Sequence, residues 1–119
     1  MNEEIRKRYL GAVLERCEVE VPQWGKVWAQ ELGGDGRYAV ELEVPEANKS
    51  KDFRRFMAVH LVHGVVAPDP ATGEWGPVFT ADDIPRLTKL STRITVPVFK
   101  AIERLSALGP DAREEARGN

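Results

Sequence analysis

Val19-Glu20-Val21-Pro22-Gln23-Trp24-Gly25-Lys26-Val27-Trp28-Ala29-Gln30-Glu31-Leu32 decides the fold class of this chain. Its hydropathy has a period of two: Cys17, Val19 and Val21 alternate with Glu18 and Glu20, and Val27 and Ala29 alternate with Trp28, Gln30 and Leu32. Pro22 to Gly25 supplies turn chemistry between the two arms. The stretch predicts a β-hairpin that gives Trp28 and one valine face to the core. An isolated hairpin is marginal in water, so other elements must cover it.

The flanking sequence supplies those elements. Residues 2 to 14 read as a short charged helix, with Ile5, Tyr9 and Val13 spaced i, i+4, i+8 beside Leu10 and Leu14. Gly11 weakens it, so this helix needs docking to persist. After Gly33-Gly34-Asp35-Gly36, the stretch Arg37 to Val44 places Tyr38, Val40, Leu42 and Val44 in strict alternation, which argues for a third strand. Phe53, Phe56, Met57, Leu61, Val62 and Val65 follow helical spacing, with Gly64 as a candidate C-cap. Residues 67 to 77 are rich in Pro and Gly and read as a loop. Thr80 with Asp83 is a capping signal for a short helix marked by Ile84, Leu87 and Leu90, whose start Pro85 is expected to push downstream. Ser91 caps a last helix whose apolar face is Ile94, Val98, Ala101, Ile102 and Leu105, with a kink or restart expected at Pro97. The expected architecture is α+β: an N-terminal β-hairpin, with a possible third strand, packed against several helices, and a helical C-terminal half. Trp28, Leu61, Phe79, Leu87, Val98, Ile102 and Leu105 are its expected core. Residues 1–108 form one domain, and 109–119 are a charged, flexible tail after Gly109-Pro110.

Composition narrows the function classes. At 119 residues, 42% hydrophobic, the chain suits one domain with one modest core. No apolar run approaches the ~18 residues of a membrane span, and Met1 to Arg6 shows no apolar signal region, so a cytosolic location is expected. Net charge is −2, with both signs mixed along the chain. The one dense basic stretch, Lys49 to Arg55, reads as a solvated loop entering a helix rather than a nucleic-acid surface. Cys17 is the single cysteine, which excludes an intrachain disulfide and reads as a small hydrophobe.

No catalytic set is visible, and neither a metal nor a cofactor is expected. His60 and His63, at i, i+3, are half a metal site without further ligands. Asp69 and Glu74 lack the run of alternating acids of a calcium loop, and Asp69 suits a turn. Asp82-Asp83 suits the start of a helix. Gly33-Gly34-Asp35-Gly36 has no Lys-Ser continuation of a phosphate loop. The helix pair Asp83 to Leu105 is also the skeleton of a helix-turn-helix reader, with Thr92, Arg93 and Thr95 at the start of its second helix, but Asp82 and Asp83 would repel phosphate. Trp24 in the turn and Trp75 in the loop either fold back over a small core or anchor a protein partner, since aromatic residues dominate interface hot spots.

Four blocks, in this order and spacing, resemble the tail assembly chaperones of long-tailed bacteriophages. They are Val21-Pro22-Gln23-Trp24-Gly25 with Glu31-Leu32, the segment Phe53 to Val66, Val78-Phe79-Thr80 with Asp82-Asp83, and Leu105 to Gly109 before Glu114-Glu115. Residues 67 to 77 depart from the family pattern. Residues 37 to 44 depart too, because the resemblance implies a helix where the alternation implies a strand.

The resemblance implies a non-enzymatic protein that binds the tape-measure protein, keeps it soluble while the tail tube is assembled around it, and leaves before the virion is complete. It implies self-association, a possible contact with the tail tube protein, a location in the host cytoplasm, and in many relatives a longer frameshifted form. A DNA-binding regulator and a structural connector of the tail are the alternatives.

Overall fold

The computed structural model describes residues 2–107, so the expectations for the 109–119 tail lie outside the described residues. Strands β1 (Arg16–Val21) and β2 (Gly25–Gln30) form the expected antiparallel hairpin. Its turn has a Trp24 N–H to Val21 carbonyl bond of 3.2 Å, with Pro22 at the position that wants its fixed φ. Gln23 has φ 69° and Gly25 φ 77°. The glycine takes that conformation freely, and the glutamine does so against its Cβ.

Register decides what the hairpin buries. Val19 faces Val27 and Cys17 faces Ala29 across the ladder, so these residues share one side with Val21. Ala29 and Val21 are buried there. Trp28 pairs with Glu18 and therefore stands on the opposite, outer side, half-buried. The expectation that Trp28 enters the core is thus corrected: an aromatic one residue out of phase with the valines cannot share their face.

Two further strands complete a sheet of order β1-β2-β3-β4, with every neighbouring pair antiparallel. β4 (Trp75–Pro77) comes from the segment read as a loop, and β3 (Val65–Pro68) takes the start of that segment together with Val65 and Val66, read as the end of the helix from Phe53. Only residues 69 to 74 are a loop, closed by Asp69 N–H to Glu74 carbonyl and Gly73 N–H to Asp69 carbonyl bonds of 2.7 Å each. Strands this short leave no periodicity to read; β3 forms on the open edge of β2, and β4 on the edge that β3 then offers.

Helix α1 (Glu3–Leu10) buries none of its residues. Helix α2 (Gly34–Glu43) occupies the segment expected to be a strand. Val40 and Val44, four apart, are buried, while Tyr38 and Leu42 are 64% and 65% exposed, so the helix divides the alternating set between core and water. Gly36 is buried where α2 meets the next helix, and a Cβ there would make an ordinary contact of 3.5 Å with His63 Cβ.

Helix α3 (Phe53–Gly64) runs as the spacing predicts. Gly64 is its last residue rather than a left-handed cap; Val65 follows in extended conformation. Its glycine is a packing requirement, because a Cβ would lie 2.5 Å from Ile102 Cδ1. Thr80 and Asp83 make the expected capping box over a 3-10 turn, Ala81–Asp83, leading into α4 (Ile84–Leu87). Pro85 sits in the first turn of α4, where its missing N–H is no loss, so the start is not displaced.

Helix α5 (Thr92–Leu105) starts at Ser91, whose side chain accepts from Arg93 N–H, and continues through Pro97 without the expected restart. It packs against α3 and against the inner face of β1 and β2. Leu61, Val98, Ile102 and Leu87 are buried as expected, whereas Phe79 and Leu105 are half-buried at the margin. Ser106 fastens the end of α5 to the hairpin: its Oγ donates to Ile102 carbonyl at 2.7 Å and accepts Leu32 N–H at 2.7 Å. The Arg37 guanidinium donates to Ser106 carbonyl, tying α2 to the same point. The architecture is α+β, an N-terminal hairpin extended into a four-stranded antiparallel sheet under helices, with a helical C-terminal portion.

Candidate functional site

Helices cover one face of the sheet. β2 and β3 pair only through Trp28 with Val66 and Ala29 with Val65. Beyond those rungs β2 stays with β1 toward the turn while β3 stays with β4, and an apolar groove of about 260 Å³ opens where the two strands part. Trp24, Val27, Trp28, Val66, Val78 and Phe79 line it. Each wall is built from elements already described. The turn carries Trp24 to Phe79, with ring centroids 5.7 Å apart and planes tilted by 42°. On the outer face Trp28 meets the edge of Trp75 at 5.3 Å and 83°. Val78, half exposed, is held by its N–H bond of 3.2 Å to Val65 carbonyl.

The two tryptophans singled out in the sequence therefore play different parts. Trp24 lines the groove directly. Trp75, 38% exposed, props Trp28 and carries the Arg16 guanidinium 3.9 Å from its ring centre. That stacking leaves Arg16 Nη1 buried with no hydrogen-bond partner among the described residues. Sequence reading missed Val27, Val66, Val78 and Phe79 as groove residues; only the distance between strands brings them together.

The groove's chemistry is that of an apolar docking site. It holds no titratable group except Lys26, which extends toward Glu18 at 3.9 Å. Among the described residues that line it, none pairs a nucleophile with a base. The remaining candidates have structural settings. His60 is buried between Phe56 and Phe99, at 4.5 Å and 4.9 Å between ring centroids, and its Nδ1 lies 2.9 Å from Phe56 carbonyl. Burial, chiefly, pushes its pKa below the ordinary 6.5, and nearby Lys49, Arg37 and His63 push it the same way. His63 is exposed, so the two rings share no site. Among the described residues no group of His, Cys, Asp and Glu side chains is gathered as metal ligands.

Asp69 Oδ1 accepts Ala71 N–H at 2.7 Å and is a turn former. In the basic stretch, Arg55 bonds Glu43 at 2.6 Å and Lys49 lies over the Phe56 ring at 4.9 Å. Of the candidate base-reading residues on α5, Thr95 is buried against the core, with Thr92 and Arg93 exposed. No helix among the described residues is long and apolar enough to cross a membrane.

A second apolar surface lies on α1. Tyr9 and Leu10 are 69% and 70% exposed, Ile5 41%, and Val13 just beyond the helix 78%. The docking that the sequence called for is absent within the described chain.

No protein-family model and no curated protein sequence matches this chain. Among solved structures, the tail assembly chaperone of bacteriophage HK97 is similar over 85% of this chain and 96% of that one, with a TM-score of 0.53 and 17% identity. At that identity the likeness establishes a common fold, spanning nearly the whole of the HK97 protein.

Proposed function

We propose that this chain is a tail assembly chaperone of a long-tailed phage or prophage. In this reading it is a non-enzymatic protein of the host cytoplasm that binds the tape-measure protein, keeps it soluble, hands it to the polymerising tail tube and is not retained in the virion. The observation that carries the proposal is the fold shared with the HK97 chaperone across 96% of that protein's length. The blocks of sequence resemblance point the same way. The groove suits the task physically. A tape-measure protein is a long, helical, apolar rod, and an apolar groove accepts side chains spaced i, i+3, i+4 along a helix. Many weak contacts along one rod add up through avidity yet release one at a time.

Co-expression with the tape-measure protein of the same phage tests it. The expected result is a soluble tape-measure protein that co-purifies with several copies of this chain and survives high salt, because an apolar contact is little screened. Val78→Glu, placed in the groove wall, should abolish the rescue. An insoluble tape-measure protein, or this chain present stoichiometrically in mature virions, refutes the proposal.

A further inference from the structure

β1 is an edge of the sheet: β2 pairs with one side of it, and among the described residues nothing pairs with the other. The ladder determines which backbone groups the open side presents. Glu31 N–H bonds Glu15 carbonyl at 2.9 Å, and bonded positions alternate along an antiparallel pair, so Cys17, Val19 and Val21 turn their backbone groups toward β2. Arg16, Glu18 and Glu20 therefore turn theirs outward. Their N–H donors and carbonyl acceptors stand in the rhythm of two that an added strand bonds. The far edge is closed to such pairing, because β4 is three residues long and ends in Pro77, which has no N–H.

The same residues carry the charge of this edge. Arg16, Glu18 and Glu20 alternate with Cys17, Val19 and Val21, so their side chains share the outer face of the sheet. The Arg16 guanidinium is taken up by Trp75 of β4, 3.9 Å from its ring centre. Glu18 and Glu20 are exposed; Glu18 pairs at 3.9 Å with Lys26 of β2, and Glu20 forms no ion pair among the described residues. On the inner face Cys17 and Val19 are half-buried against the core, where α5 packs on β1. A strand laid along β1 sets every second side chain beside the carboxylates and the others beside Cys17 and Val19.

We infer that β1 docks, as an added antiparallel strand, an extended segment of a partner protein in which Lys or Arg alternates with apolar residues. Opposite charges on directly facing positions attract and like charges repel, so Glu18 and Glu20 select cations two positions apart. The same acids argue against a second copy on this edge, since antiparallel pairing of β1 with itself brings carboxylates onto carboxylates. The apolar positions of the incoming segment extend the core past Cys17 and Val19. This surface reads an extended chain and is distinct from the groove, so it does not rest on the proposed function.

The probe is a synthetic peptide as long as β1 in which Lys alternates with Val, titrated into the isotope-labelled full chain. Amide hydrogen exchange read by NMR should show Glu18 and Glu20 N–H protected only when the peptide is bound. The same peptide methylated on its lysine backbone nitrogens should not bind, because it keeps the charge and loses the donors that face β1. A peptide with Glu in place of Lys should not bind either. Glu18→Gln with Glu20→Gln, both at exposed positions and verified as folded by circular dichroism, should bind the Lys peptide at least about tenfold more weakly. Glu18 and Glu20 amides that stay unprotected at the highest peptide concentration overturn the inference. So does a methylated or Glu-containing peptide that binds as well as the parent, or a double variant that binds like wild type. Protection of these amides in the protein alone as its concentration rises assigns the edge to a second copy and overturns it equally. A chain that takes the peptide on β1 yet leaves the tape-measure protein insoluble refutes the proposed function alone.

Discussion

Gly64→Ala probes the close approach of α3 to α5. The added Cβ would stand 2.5, 2.7 and 2.8 Å from Cδ1, Cγ1 and Cγ2 of Ile102, a side chain with no exposure. Carbon atoms prefer ~3.5–4.0 Å, so three contacts are about 1 Å too short. Ile102 has no empty space to rotate into, because Leu61 and Val98 around it are equally enclosed. Relief must come from an off-rotamer Ile102 or from parting α3 and α5, and overpacking of this kind costs about 1–3 kcal/mol. Against it stands the helix preference of alanine over glycine, at most ~1 kcal/mol and less at the last helical residue. The expected net loss is therefore about 1–2 kcal/mol, read in urea as a lower midpoint at unchanged slope.

A double-mutant cycle identifies the cause. Ile102→Val deletes Cδ1, the atom at 2.5 Å, and alone should cost about 0.5–1.5 kcal/mol. In the Gly64→Ala background that deletion relieves the clash, so the double variant should be more stable than the sum by at least ~0.5 kcal/mol. A Gly64→Ala protein as stable as wild type, or a strictly additive double variant, would refute the helix contact described here.

Three other outcomes follow from named groups. His60 is held neutral by burial, so its folded pKa lies below the unfolded value of 6.5; above 6.5 the two states bind protons alike, and as pH falls through 6.5 toward the folded pKa the unfolded state gains protons first. Stability should therefore fall on acidification below that point, and His60→Gln should flatten the profile; a wild-type profile that rises toward acid contradicts the buried, neutral ring. Gln23 holds φ 69° against its Cβ, so Gln23→Gly should leave stability unchanged or raise it, by up to ~1 kcal/mol of relieved strain offset by the entropy glycine adds to the unfolded chain, read as an unchanged or higher melting temperature. Trp24→Ala should weaken tape-measure binding by ~2 kcal/mol or more as a groove residue, and Trp75→Ala should act through loss of its support to Trp28. Unchanged affinity in both would remove the aromatic pairs from the binding surface.

The hairpin, the two long helices and the Ser91 cap of α5 were legible in the sequence because each is specified within a few residues. Alternation over 17–30 fixes a strand pair whatever it packs on, and Ser91 satisfies its helix start by its own side chain. The apolar spacing of Phe56, Leu61, Val98 and Ile102 likewise selects the buried face of α3 and α5. What tertiary structure decided are segments whose local signal is degenerate. In residues 37–44 an alternating pattern contains the pair Val40 and Val44, which is equally a helix's i, i+4 pair. The choice falls to α2 because α3 offers a surface on which Val40 and Val44 are buried, and because Arg37 reaches Ser106. β3 and β4, four and three residues long, exist only because the open edge of β2 pairs with β3 and β3 in turn pairs with β4. The site belongs to the same class. Trp24 and Trp75 stood out in the sequence, but the groove is made by the gap between β2 and β3. Its walls come from residues 24 to 28, 65 to 67 and 78 to 79, and no local pattern encodes a distance between segments that far apart in the chain.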